Sequence, residues 1–365
     1  MDEKNNNLLT DNELMFFLVG LLVGPASSQF PNILIKVAMQ DAWISAIIAL
    51  IYPIAIVLLS SIIIKNNPCE NMINLTQKHY GSIIGNIFNI IFLLEWILTA
   101  SISTYDTVTI LRTYLVSFLS VEKTLLVVLA ITAYGAYKGL KTLGKFNELI
   151  SYFMLLFVLI SLISLKEGSL TNLQPVFGSG IKNIVKASKK ASYYYLGFEA
   201  LPLIYPAVKN KQNIKRCGLK AVMISGGIWV TNTLITIYHL GIDVSLKKFW
   251  PYTAVYDSIH FPAINNFKYI FELTWHLVIL KLISNYYFLS SYSLSNILNV
   301  NFNKICLYLY PLLFFISYKV INISFINLSL NTIFPMISTF NIIFFAMTAI
   351  LSVKRSKKAN VKGAS

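Results

Sequence analysis

Two places in this chain set backbone-breaking residues inside apolar segments of membrane length, and both are suited to hold a small polar solute. The first is Gly24-Pro25-Ala26-Ser27-Ser28, within the apolar stretch 14–36. The second is Gly197-Phe198-Glu199-Ala200-Leu201-Pro202, within 184–208. Glycine and proline interrupt helical hydrogen bonding, and a bilayer tolerates the freed N–H and C=O groups only where protein or a watery cavity satisfies them. At the first break the N–H groups around Gly24, Ala26 and Ser27, with the positive end of the half-helix after Pro25, suit a carboxylate. A proline kink in a packed helix is the alternative. At the second break Glu199 sits beside flexible backbone. A carboxylate inside a span is costly and usually has a partner. Glu199 could meet a ligand ammonium, take up a proton, or cap N–H groups freed in the first broken helix. Tyr195 and Phe198 could wall an apolar side-chain pocket or serve as packing.

Two further segments carry polar groups at helical spacing. Glu95, Thr99, Ser103 and Asp106 form one stripe, suited to a polar path or to holding a neighbouring helix. Lys281, Ser284, Phe288 and Ser291 share one side of a later segment, with Glu272 and His276 four apart nearer its start. Lys281 is expected to pack beside a carboxylate, with proton switching as the other reading. The candidate ligand-binding set is Gly24, Pro25, Ala26, Ser27, Thr99, Ser103, Tyr195, Gly197, Phe198, Glu199, Ser284 and Phe288. Enzyme chemistry finds no support: His79, His239, His260 and His276 lie on separate elements, and neither a nucleophile elbow nor a phosphate loop is present. No metal or cofactor is expected. Cys69, Cys217 and Cys306 read as apolar fillers.

The elements that must position these residues are membrane helices. Of the 365 residues 56% are hydrophobic and 12% charged, and the mean hydropathy is +0.65, against roughly 25% charge in a soluble domain. Apolar runs predict ten spans, approximately 13–37, 42–64, 82–110, 122–140, 145–165, 184–208, 214–240, 268–298, 304–322 and 331–353. The connections 166–183 and 241–267 are rich in turn formers and are expected to form short helices or a lid. With the first and sixth spans broken, five helices plus five of opposite topology form an inverted repeat. The fold class expected is an all-α polytopic membrane domain over 1–365, with repeats at 13–165 and 184–353 and a basic tail at 354–365. The net charge of +15 sits in short clusters beside spans, which argues against nucleic acid and for membrane lipid as surroundings. Basic clusters at Lys138, Lys141 and Lys145, from Lys209 to Lys220, and from Lys354 to Lys358 place both termini in the cytoplasm; Lys182, Lys186, Lys189 and Lys190 run against this.

Several of these residues also carry a likeness. Gly24-Pro25, Gln40-Asp41-Ala42-Trp43-Ile44-Ser45, Gln174-Pro175-Val176-Phe177-Gly178-Ser179-Gly180, Tyr195-Leu196-Gly197-Phe198-Glu199-Ala200-Leu201 with Tyr205-Pro206 and Lys209, and Trp250-Pro251 together resemble the B subunit of bacterial spore germinant receptors. The resemblance spans essentially the full chain. It implies membership of the amino acid–polyamine–organocation transporters, with a ten-helix inverted-repeat fold of the LeuT type. It also implies a place in the spore inner membrane, where a small germinant such as an amino acid is sensed with an A subunit and a C-subunit lipoprotein. The chain departs from the pattern at Asn265-Asn266-Phe267-Lys268, where relatives carry an acidic-basic pair, an apolar residue and an aspartate. The competing expectation is a proton-coupled amino acid permease. A deep lysine on the fifth span would favour it, and that span offers Lys145 and Glu148 near one end.

Overall fold

The computed structural model describes residues 7–68, 70–261 and 266–362; Cys69, Asn265 and the last residues of the basic tail lie outside them. The ten spans appear in the expected order. Span one is α1 (Asp11–Leu22) and α2 (Ala26–Ala38), separated where Val23 is extended at φ −83° and ψ 109°. Thr10 opens α1 with a capping box: its hydroxyl accepts from the Glu13 N–H at 3.3 Å while Glu13 accepts from the Thr10 N–H at 2.7 Å. Span two is α3 (Ala42–Ala49) and α4 (Ile51–Asn66). Next come α5 (Met72–Tyr80) at the surface, then spans three, four and five as α6 (Ser82–Tyr114), α7 (Val121–Tyr137) and α8 (Leu140–Ser161). The short α5 lies where the hydropathy pattern shows only a connection; its local signal is Asn71, whose side chain caps the Asn74 N–H at 2.9 Å.

Span six is α9 (Ile181–Ser192), an irregular stretch, and α10 (Leu201–Ile204). Span seven is α11 (Ile214–Lys247), which bends at Gly241 (φ 69°), close to the end expected from sequence. The 166–183 and 241–267 connections hold short helical turns, including α12 (Pro251–Val255). Spans eight and nine are α13 (Lys268–Leu298) and α14 (Phe302–Phe315); span ten is α15 (Ile323–Leu328) continuing into α16 (Phe334–Lys362). Among the described residues five helices qualify as spans by length and apolarity alone, or six if the bent pair Lys268–Leu298 and Phe302–Val320 is one. The lower count has a physical cause: spans one and six are interrupted, α7 is only 17 residues long, and α13 buries many polar groups. Large apolar residues such as Ile83, Leu94 and Leu159 face outward, as lipid-facing surfaces require.

Two of the sequence motifs meet at the end of the bundle that carries the turn between α2 and α3. Asp41 is fully buried, and its carboxylate accepts from the Phe177 N–H at 2.8 Å, the Ser179 N–H at 2.9 Å and the Ser179 hydroxyl at 2.7 Å. Gln40 adds a bond to the Pro175 carbonyl at 2.9 Å. Two loop N–H groups flanking Gly178 thus converge on one buried anion. The corner between spans one and two is thereby tied to the loop that leads into span six. At the opposite end, Leu9 pairs with the 207–209 backbone, and Lys141 reaches Glu13 at 2.6 Å.

Candidate ligand cavity between the broken helices

A cavity of about 90 Å³ lies against both breaks. One water needs roughly 10–15 Å³ on this scale, so the space suits a small solute. Span one contributes Leu21, Leu22, Pro25, Ala26 and Gln29; span three contributes Thr99, Ile102, Ser103 and Asp106. Tyr193, Tyr194 and Leu196 come from span six, Leu282 and Tyr286 from span eight, and Ile326, Leu330 and Phe334 from span ten. Helical spacing explains the first two groups: Pro25 and Gln29 are one turn apart, as are Thr99 and Ser103, with Asp106 on the next turn. Ala26 lines the wall and opens α2, and first-turn N–H groups have no intrahelical acceptor. Asp106 is the acidic side chain on the wall, and among the described residues no Lys, Arg or His lines the cavity.

The candidate residues divide by position. Pro25, Ala26, Thr99 and Ser103 line the cavity. Gly24 lies just behind it, where a Cβ would meet Leu282 Cδ1 at 2.4 Å. Ser27 is turned inward: its hydroxyl donates to the Gly24 carbonyl at 2.6 Å and its N–H to the same oxygen at 3.1 Å, closing the break locally. Tyr195 packs edge-on to Phe30 and against Trp229, and Phe198 is buried off the wall. Ser284 donates to the Leu280 carbonyl at 2.8 Å, and Phe288 stacks on Tyr292. Gln29, Tyr193, Tyr194, Leu282 and Tyr286 are wall residues that sequence reasoning left out of the set. Gln29 had a signal, one turn past Pro25 on the same face; Leu282 and Tyr286 had none separating them from ordinary packing.

Gly197 and Glu199 lie behind the wall. Gly197 has φ 134° and ψ −26°, a region that side chains rarely enter. Its N–H donates to Glu199 Oε2 at 2.5 Å, and the Tyr52 hydroxyl donates to Glu199 Oε1. The carboxylate therefore caps its own break rather than the first one. Tyr286 connects this region to the cavity, since it lines the wall and its hydroxyl donates to the Leu196 carbonyl at 3.2 Å. Glu95, the lowest member of the span-three stripe, lies off the wall and accepts from Asn341 Nδ2 at 3.3 Å.

Lys281 differs from expectation. It is fully buried, and its ammonium donates to Ser151 Oγ at 2.9 Å, with Met154 Sδ at 4.0 Å, instead of meeting a carboxylate. Its side of α13 faces span five at Ser151, where a hydroxyl and a thioether occupy the space. Where the family charge pattern is missing, Lys268 pairs with Asp257 at 2.7 Å, so the connection before span eight supplies a counter-charge. Among the described residues no group of three His, Cys, Asp or Glu side chains could hold a metal ion.

Two broken spans facing one cavity in a helical bundle define a polytopic membrane fold of the inverted-repeat transporter type. The solved structures bear out the fold. The MhsT crystal structure, in complex with L-phenylalanine, aligns with a TM-score of 0.70 at 12% identity over 93% of this chain and 91% of that one. MHP1, a nucleobase-cation-symport-1 family transporter in a closed conformation with bromovinylhydantoin bound, aligns at 0.66 and 14% over 90% and 75%. The family model described as "Spore germination protein" matches residues 8–326, and the chain belongs to that family. It is 24% identical over 276 residues to spore germination protein GerQB of Bacillus cereus, covering 74% of this chain and 75% of that protein. Spore germination protein B2 of Bacillus subtilis (strain 168) is 19% identical over 74% and 75%, and spore germination protein KB of the same strain 22% over 61% of each. The chain is thus a multi-pass membrane protein of germination with a transporter fold, and not an enzyme.

Proposed function

We propose that this chain is the nutrient-sensing B-type subunit of a spore germinant receptor, residing in the spore inner membrane. The observation that carries the reading is the cavity at the two breaks, with the opening of α2 on one side and Asp106 on another. A zwitterionic amino acid fits that polarity: its carboxylate toward the Ala26 N–H and the positive end of α2, its ammonium toward Asp106. Occupancy draws spans one, three, six, eight and ten together, and the shift in population passes to an A subunit and a C-subunit lipoprotein. Germination of a deletion strain on single nutrients tests this. Loss of the response to one amino acid, restored by the wild-type gene and not by an Ala26→Trp gene that fills the cavity at normal abundance, supports it. An Ala26→Trp strain with a wild-type dose response rejects the site.

A proton-coupled amino acid permease is the second reading, favoured by the buried ionisable groups Glu95, Glu199 and Lys281. Uptake into proteoliposomes separates the two. Accumulation of the ligand driven by a pH gradient selects the permease, and binding without accumulation selects the receptor.

A further inference from the structure

Glu95 and Glu199 are 1% and 0% exposed, and neither forms an ion pair with a Lys, Arg or His among the described residues. They belong to one polar knot joining spans two, three, six and ten. Asn341 Nδ2 donates to Glu95 Oε2 at 3.3 Å and to the Tyr52 hydroxyl at 3.4 Å, and Tyr52 donates in turn to Glu199. The titratable groups facing the pair are Tyr52 from span two and Tyr286 from span eight. Lys281, also on span eight, is turned to Ser151. Two buried carboxylates without a cation cannot both stay ionised at reasonable cost.

The hydrogen bonds say which one carries the proton. Glu199 accepts at both oxygens, from Tyr52 and from the Gly197 N–H, an arrangement that favours the ionised form. Glu95 Oε1 and Asn341 Oδ1 are both buried without a partner. Both are acceptors while Glu95 is ionised, so the knot lacks a donor, and buried polar groups are seldom left unpaired. A proton on Glu95 supplies that donor within reach of the Asn341 amide.

We propose that the Glu95–Glu199 pair is a proton-binding site, occupied by one proton on Glu95, that locks the second break. The step is a single proton passing between Glu95 and water, with no electron transferred. When it leaves, two like charges share the knot, Glu199 is pushed from the Gly197 N–H, and Leu196 on the cavity wall loses its neighbour's anchor. The consequence for the ligand rests on the reading of the cavity given above; the site itself does not.

The test uses the purified full-length protein without ligand. Infrared spectra in H₂O and D₂O should show a buried protonated-carboxyl band at neutral pH that is missing in Glu95→Gln and retained in Glu199→Gln. Thermal unfolding supplies the second readout. An acid kept neutral by the fold gives stability that is present at low pH and lost as pH rises through its folded titration. Wild-type Tm should therefore decline from the ordinary carboxyl range, about pH 4, up to the pH at which Glu95 ionises in the folded protein and level off there, whereas Glu95→Gln, a permanently neutral isostere, should lack that decline. If Glu95→Gln does not fold, the wild-type band must still disappear at the pH where that decline ends. No band lost in Glu95→Gln, a wild-type band that persists above the pH where the decline ends, or a Tm decline reversed by sodium in place of protons would each overturn the proposal.

Discussion

Replacing Gly197 by alanine tests whether the second break is a built conformation or a loose one. The residue sits at φ 134° and ψ −26°, where a non-glycine backbone costs about 1–3 kcal/mol. The added Cβ would lie 2.8 Å from Tyr286 Oη and 3.1 Å from Leu21 Cβ. Tyr286 must then move, and its bond to the Leu196 carbonyl at 3.2 Å is lost, a further ~0.5–1.5 kcal/mol. Together these give a destabilisation of about 1.5–4.5 kcal/mol. Gly24→Ala is the matched control, because Gly24 is not among the glycines with positive φ and the three atoms nearest its Cβ all belong to the flexible Leu282 side chain, Cδ1 at 2.4 Å, Cγ at 3.3 Å and Cβ at 3.4 Å. Overpacking that a flexible side chain can relieve costs about 1 kcal/mol. Thermal unfolding in detergent should place Gly197→Ala clearly below Gly24→Ala. Germination curves should show Gly197→Ala unresponsive and Gly24→Ala shifted, since Leu282 lines the cavity. Equal Tm values for Gly197→Ala and the wild type, or a larger loss for Gly24→Ala, would refute the reasoning.

Asp41→Ala removes three hydrogen bonds to a buried carboxylate and should destabilise by about 3 kcal/mol, with Asp41→Asn intermediate; limited proteolysis of the 174–180 loop reads it directly. Asn147 and Asn285 exchange amide bonds at 2.8 and 2.9 Å across spans five and eight, so Asn285→Leu should lower stability by about 1–2 kcal/mol, and a double variant with Asn147→Leu should recover part of it in a thermal-shift assay. His79, on the surface helix α5, is held below its usual value by burial and by Arg355 and Lys78. A depressed histidine contributes stability at neutral pH that is lost as pH falls from the ordinary histidine value through its lower folded one, and Tm against pH should show a smaller acid loss for His79→Gln.

Hydropathy and breakers are properties of short stretches, so the chain alone determined the ten spans, the interruption of the first and sixth, and the residues available at each. Gly24-Pro25 and Gly197 are legible because missing N–H groups and positive φ are consequences of residue type. Part of the cavity wall is legible for the same reason: Thr99, Ser103 and Asp106 share a helical face whatever surrounds them. Partners across the bundle are another matter. Which neighbour each face meets depends on how helices far apart in sequence pack, and packing answers to the shapes of all of them at once. Asp41 finds the 177–179 backbone, Glu95 finds Asn341, and Lys281 finds Ser151 rather than an acid. Glu199 was readable as a buried carboxylate at a break, and only the tertiary structure decided that it holds Gly197 and Tyr52, because those contacts form when spans two and six close on each other.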